Sequence, residues 1–170
     1  MQMHVKIATS LIVLIILLTG CRINVSTTGA SISPESETVS IAYFPNRASL
    51  GPPTIGQDFT NDLQDRFIDQ TRLALVEEEG DLSFRGAITG FSTQPVAIQG
   101  NEVAAQNRLT IKVHVVFTNK QNPEYNFEQD FSQYEDYDGD KMLTEVESTL
   151  VPSITEKLIE DIFNKAVVNW

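Results

Sequence analysis

The sequence predicts an α+β domain in which two helices pack on one face of a mostly antiparallel four-stranded sheet. Three observations lead there. Leu109, Ile111, Val113, Val115 and Phe117 alternate with Arg108, Thr110, Lys112, His114 and Thr118, the period of a strand with one apolar face. Phe59, Leu63 and Phe67 recur every four residues, and Leu143, Val146, Leu150, Ile154, Leu158, Ile162 and Phe163 recur at helical spacing. The segments run strand, helix, three strands, helix, so two amphipathic helices are available to cover the apolar face of a single sheet.

The first strand falls at Thr38 to Phe44, with Val39, Ile41 and Tyr43 on one side and Ser40 and Ala42 on the other. Pro45, Pro52 and Pro53 mark a loop. Thr54-Ile-Gly-Gln57 has the pattern of a capping box and opens a helix that ends near Thr71. Ile68 and Thr71 widen its apolar stripe, while Asp58, Asp62, Asp65 and Asp69 take other faces. Leu73 to Val76 is a short apolar segment leading to the next element. After a Gly80-Asp81 turn, Leu82, Phe84, Gly86, Ile88 and Gly90 share one face of the second strand, opposite Ser83, Arg85 and Thr89. Ala97 to Gln106 is a polar loop before the third strand. Lys120-Gln-Asn-Pro123 signals a hairpin, and Tyr125, Phe127 and Phe131 continue the alternation, with an irregularity expected near Ser132 to Tyr134. Pro152 lacks a backbone donor, which predicts a kink or a break in the last helix.

Residues 1–20 read as a signal peptide rather than as part of the domain. Lys6 is their only firm charge, and Leu11 to Leu18 is an unbroken apolar run. A membrane-spanning helix needs ~20 apolar residues, so this run has the length of a signal core instead. Leu18-Thr19-Gly20-Cys21 has the form of a bacterial lipobox, in which small residues precede a Cys whose thiol takes a diacylglycerol. Cys21 is the only cysteine, so no disulfide can form within one chain. Residues 21–37 are rich in Ser, Thr and Gly and read as a lipidated tether, and residues 38–170 as the domain. The residue after Cys21 is Arg22, not the Asp that retains proteobacterial lipoproteins in the inner membrane. This favours the outer membrane, with the domain facing the periplasm.

Lys6 apart, 11 basic side chains stand against 23 acidic ones, a charge of −12. Nucleic acid and anionic membrane surfaces are repelled by such a balance, so no nucleic-acid partner is expected. The sequence is also poor in catalytic chemistry. His114 is the only histidine beyond residue 20, and a nucleophile–His–acid site would have to use it. It lies on the polar side of a regular strand, where a solvent-facing role is the plainer reading. Serine-nucleophile motifs and zinc spacings are absent, and neither an enzyme nor a cofactor is expected. Asp136, Asp138 and Asp140 invite comparison with a calcium loop, but the sixth position from Asp136 is Lys141 where the loop needs Gly. A turn into the last helix, capped by Asp140, is the alternative. Tyr43, Tyr125, Tyr134 and Tyr137 are candidates for an interface, although strands favour tyrosine in any case.

The chain resembles the lipopolysaccharide-assembly lipoprotein family LptE, in its Bacteroidetes-type form. The resemblance spans nearly the whole chain and is carried by LTGC, SIAYFPN, TRLALVEEEGDLSFRGAITGF and EKLIEDIFNKAVVNW. The lipobox is shared by many lipoproteins, whereas the last two segments are much more specific. The resemblance implies two helices on a four-stranded sheet and a non-catalytic role. It implies a plug within the LptD-type outer-membrane β-barrel, which delivers lipopolysaccharide to the outer leaflet. It further implies lipopolysaccharide or barrel contacts through basic residues at one end of the domain. Here the loop Ala97 to Gln106 has no Lys or Arg, so Arg108 at its border and Lys141 before the last helix are the counterparts. Arg85 and His114 complete the candidate contacts. A second reading, an accessory lipoprotein of a phospholipid transport system, fits the same lipobox and fold.

Overall fold

The computed structural model describes residues 32–96 and 105–167. The expected signal peptide, Cys21 and most of the tether and of the loop before the third strand lie outside them. The elements are β1 (Thr38–Ile41), α1 (Ile55–Gln70), β2 (Ala74–Val76), β3 (Leu82–Val96), β4 (Gln106–Asn119), a short 3-10 turn (Pro123–Tyr125), β5 (Phe127–Asp138) and α2 (Leu143–Val167).

The α+β class is as the sequence predicts, but the sheet has five strands rather than four, in the order β2-β1-β3-β4-β5. The additional strand is the short segment after α1. Its residues pair in parallel with β1, Thr38 opposite Ala74. Three residues are too few to show a periodicity, which hides such a strand from pattern reading. β1 also runs parallel to β3, whereas β3, β4 and β5 form an antiparallel meander.

Both helices cover one face. Phe67 of α1 meets Phe84 of β3 at 4.8 Å and Phe163 of α2 at 5.0 Å between ring centroids, so the three elements share one core. Phe84 in turn meets Phe117 at 4.7 Å. Leu109, Ile111, Val113, Val115 and Phe117 are all buried, as their alternation predicts.

Several local expectations need correction. β1 ends at Ile41; Tyr43 is exposed, and Phe44 fills the core against Phe59 instead. Ile68 is exposed, and α1 buries Ile55, Gly56 and Thr60 beside its Phe-Leu-Phe stripe. The Thr54 side chain makes no cap bond, and Gln57 bonds Asn61 one turn on, so no capping box forms. The second helix is capped not by Asp140 but by Glu145, whose carboxylate accepts the Met142 N–H at 2.9 Å. α2 runs unbroken through Pro152. Burial of Val151, Ile154 and Leu158 against the sheet outweighs the lost backbone bond, as tertiary packing commonly does.

The irregularity expected in β5 lies in β3. Ile88 pairs with Val113 and Gly90 with Lys112, so Thr89 is an extra residue and the alternation changes phase there. Gly90 therefore leaves the core face, and Phe91 takes its place, 6% exposed opposite Ile111. β5 pairs with β4 without a register shift as far as Asp138.

Candidate interaction surface

The sheet face away from the helices is built by every second residue of three long strands. β4 contributes Arg108, Thr110, Lys112, His114, Val116 and Thr118, all half-buried or exposed. Pairing sets Arg85 opposite Val116, Ala87 opposite His114 and Gly90 opposite Lys112 on the β3 side. On the β5 side Asp130 stands opposite His114, Ser132 opposite Lys112, Tyr134 opposite Thr110 and Asp136 opposite Arg108. The result is an open face of small, hydroxyl and charged side chains. Its basic residues lie on β3 and β4, and its acids, Glu128, Asp130, Asp136 and Asp138, border it on β5.

Of the residues the sequence singles out, Arg85, Arg108 and His114 fall on this face. Arg108 is held by Asp136 in a two-pronged pair, Nε to Oδ1 at 2.7 Å and Nη2 to Oδ2 at 2.8 Å. Its guanidinium lies 3.7 Å from the centroid of the Tyr134 ring, within cation–π range. The bond from Arg108 holds the Asp136 carboxyl below the usual carboxylate range. His114 has a carboxylate at each ring nitrogen, Asp130 at 2.7 Å and Glu128 at 3.1 Å. Above all the Asp130 bond raises its pKa, against a smaller opposing effect of burial. Lys141 lies off the face, in the turn after β5, where it pairs with Asp138 at 2.8 Å. Gly139 donates to the Ala105 carbonyl at 2.7 Å, so this turn and the start of β4 form one end of the molecule, which Arg108 adjoins.

Arg85 is exposed and has no ion pair among the described residues. Lys112 has the same properties and was not singled out by sequence reading. Its strand partner Gly90 could have flagged it only if the bulge at Thr89 were visible. Tyr134 is 46% exposed on the open face, whereas Tyr137 is turned to the core and buried. Tyr43 is 55% exposed beside α1, and Tyr125 lies in the 3-10 turn. The aspartates considered for calcium do not converge. Asp136 is taken by Arg108 and Asp138 by Lys141, and among the described residues no group of three metal-ligating side chains forms.

A family model for lipopolysaccharide assembly, LptE, matches residues 36–166. The chain belongs to the LptE family. The match begins at the end of the expected tether and spans every element from β1 nearly to the end of α2. LptE is a family of non-enzymatic lipoproteins, and membership gives the chain a place in lipopolysaccharide assembly. No curated protein matches the sequence. Among solved structures, a minor lipoprotein from Acinetobacter baumannii is similar at 13% identity, covering 72% of this chain and 91% of that one, with a TM-score of 0.47. Rare lipoprotein B from Shewanella oneidensis is similar at 13% identity, covering 76% and 90%, with a TM-score of 0.46. No described helix of this LptE-family chain is long and apolar enough to cross a membrane, which says nothing of β-barrel partners.

Proposed function

We propose that the chain is an outer-membrane lipoprotein that plugs an LptD-type β-barrel and helps assemble it for lipopolysaccharide delivery to the outer leaflet. The reading rests on family membership across residues 36–166, and the open sheet face is the observation that supports a plug. A domain with one face sealed by helices and the other left as a broad polar sheet has a ready surface for a second protein. Interfaces of lasting complexes bury upwards of ~1,200 Å² and centre on aromatic and Arg anchors. Tyr134, Arg108, Arg85 and Lys112 supply these on one face.

In this reading residues 1–20 are removed, a lipid on Cys21 holds the protein to the periplasmic leaflet, and residues 21–37 join lipid to domain. Direct lipopolysaccharide contact falls to Arg85, Arg108, His114 and Lys141. Three of these already hold carboxylates, so phosphate groups would have to displace Asp136, Asp130 or Asp138. Barrel contact makes no such demand. The test is photo-crosslinking in cells from Arg85, Lys112 and Tyr134, with Glu156 on the exposed side of α2 as the comparison. Adducts of barrel size from the sheet face support the plug. Adducts to an inner-membrane transporter instead would favour the phospholipid-carrier role.

A further inference from the structure

The chain enters the domain through an unusually well-tied junction. Asp81, at the start of β3, accepts three hydrogen bonds on one oxygen: from the Glu37 N–H at 2.9 Å, the Thr38 N–H at 3.0 Å and the Thr38 hydroxyl at 2.8 Å. The Asp81 N–H is donated back to Thr38 Oγ1 at 2.9 Å. These bonds, the Glu37 one foremost, hold the Asp81 carboxyl below its usual range. The turn that presents Asp81 is itself fixed. Glu79 sits at φ 56°, in the left-handed region, and its carbonyl accepts the Lys120 ammonium at 2.7 Å. Gly80 lies so close to the β1 backbone that a Cβ would stand 2.5 Å from the Ser40 nitrogen. Lys120 N–H closes the turn on the Asp81 carbonyl at 2.9 Å. Upstream, Ser36 is fully buried and Arg72 donates to the Ser33 carbonyl at 3.2 Å.

We propose that Asp81 is a clasp that ends the N-terminal tether on the body of the domain and so sets the domain's reach from the membrane. The inference rests on the reading of Cys21 as the lipid anchor. With the chain tied from Ser33, the 12 residues from Cys21 span at most ~40 Å if fully extended. Released as far as Val39, which also frees the Ser33 carbonyl from Arg72 and the Glu37 carbonyl from the Ala74 N–H, six more residues would add about 20 Å. The clasp lies where β3 begins. The far end of that 15-residue strand, near Arg108 and Lys141, is about 45–50 Å away. The clasp therefore ties the tether at the end of the sheet opposite those two residues, and limits how far that end can be carried.

Full-length protein in phosphatidylethanolamine–phosphatidylglycerol vesicles provides the test, with D81A as the variant. Hydrogen exchange at the Glu37 and Thr38 amides is expected to rise by about tenfold or more in D81A, with the β4 amides unchanged. A dye at E124C, exposed on the 3-10 turn and outside the junction, should move away from labelled headgroups in the same variant. If D81A does not fold, D81N keeps the side-chain shape without its charge and is read at the same two amides. Equal exchange at Glu37 and Thr38 in wild type and variant overturns the clasp. An unmodified Cys21 by mass spectrometry overturns the anchor, and with it the setting of reach, while the exchange data still decide whether the clasp exists.

Discussion

His114 on β4 and Asp130 on β5 stand opposite one another in register, with Nδ1 and Oδ1 2.7 Å apart. Glu128 takes the other ring nitrogen at 3.1 Å. A neutral imidazole can donate from only one nitrogen, so this arrangement suits the doubly protonated ring. When protonated, His114 ties the edge strand β5 to the sheet through both carboxylates.

The first prediction follows from that charge. The folded pKa is raised above the unfolded value of ~6.5. The sign is that of a group charged more readily in the folded state. Its contribution to stability is fully present below pH ~6.5 and is lost as pH rises through the folded value. An NMR titration of the His114 ring should show a midpoint above ~6.5 that falls in Asp130→Asn. A midpoint unmoved by that change would contradict the assignment.

Arg108 and Asp136 make a second cross-strand tie. The side chains are 35% and 28% exposed, so solvent weakens the pair despite its two-pronged geometry. A double-mutant cycle of Arg108→Ala and Asp136→Ala should give only a small coupling, as for other solvent-screened pairs. The coupling should shrink in high salt. A large coupling, insensitive to salt, would mean that the pair is far less hydrated than its exposure indicates.

Gly86 and Gly90 separate backbone need from side-chain room. A Cβ on Gly86 would run into the backbone carbonyl of His114, which cannot move without breaking the β3–β4 pairing. A Cβ on Gly90 would first meet the Lys112 side chain, at 3.1 to 3.3 Å. Gly86→Ala should therefore destabilise by several kcal/mol, on the order of ~3 for a forced core rearrangement, and Gly90→Ala by less than ~1. Chemical denaturation of the two variants checks the contrast, and equal losses would refute it.

Where strong periodicity exists, the sequence is transparent. Leu109 to Phe117 and Phe59-Leu63-Phe67 have the burial their spacing predicts, because each contributes to one continuous core. What the sequence hides is local and depends on neighbours. The bulge at Thr89 leaves no mark in the alternation until Phe91 is seen to be buried. β5 reads as ending in a turn because Asp136 and Asp138 look like loop residues, yet Arg108 and Lys141 neutralise them where they stand. Arg85, Arg108 and His114 are legible as polar-face residues, but not which of them already holds a partner. That depends on the register of β4 against β5, which no single strand contains.

The core prediction tests the face assignment itself. Phe67 and Ile111 are fully buried where helix meets sheet, and Phe67→Ala or Ile111→Ala should each cost ~2–5 kcal/mol. Lys112→Ala and Thr110→Ala, on the open face, should cost far less in the same denaturant titrations. Equal losses at Ile111 and Lys112 would mean that the open face is covered.

Depletion of the protein, followed by surface labelling of lipopolysaccharide and recovery of the barrel, tests the proposed function most directly. The account predicts that lipopolysaccharide stalls in the inner membrane and that the barrel is left misassembled. In undepleted cells, tagged protein should bring down the barrel in equal amount. Paired reversals of Arg85 and Lys112 to Glu should weaken that recovery while the domain stays folded. Normal surface lipopolysaccharide after depletion, with no barrel in the pull-down, would contradict the plug and leave the phospholipid-carrier reading in its place.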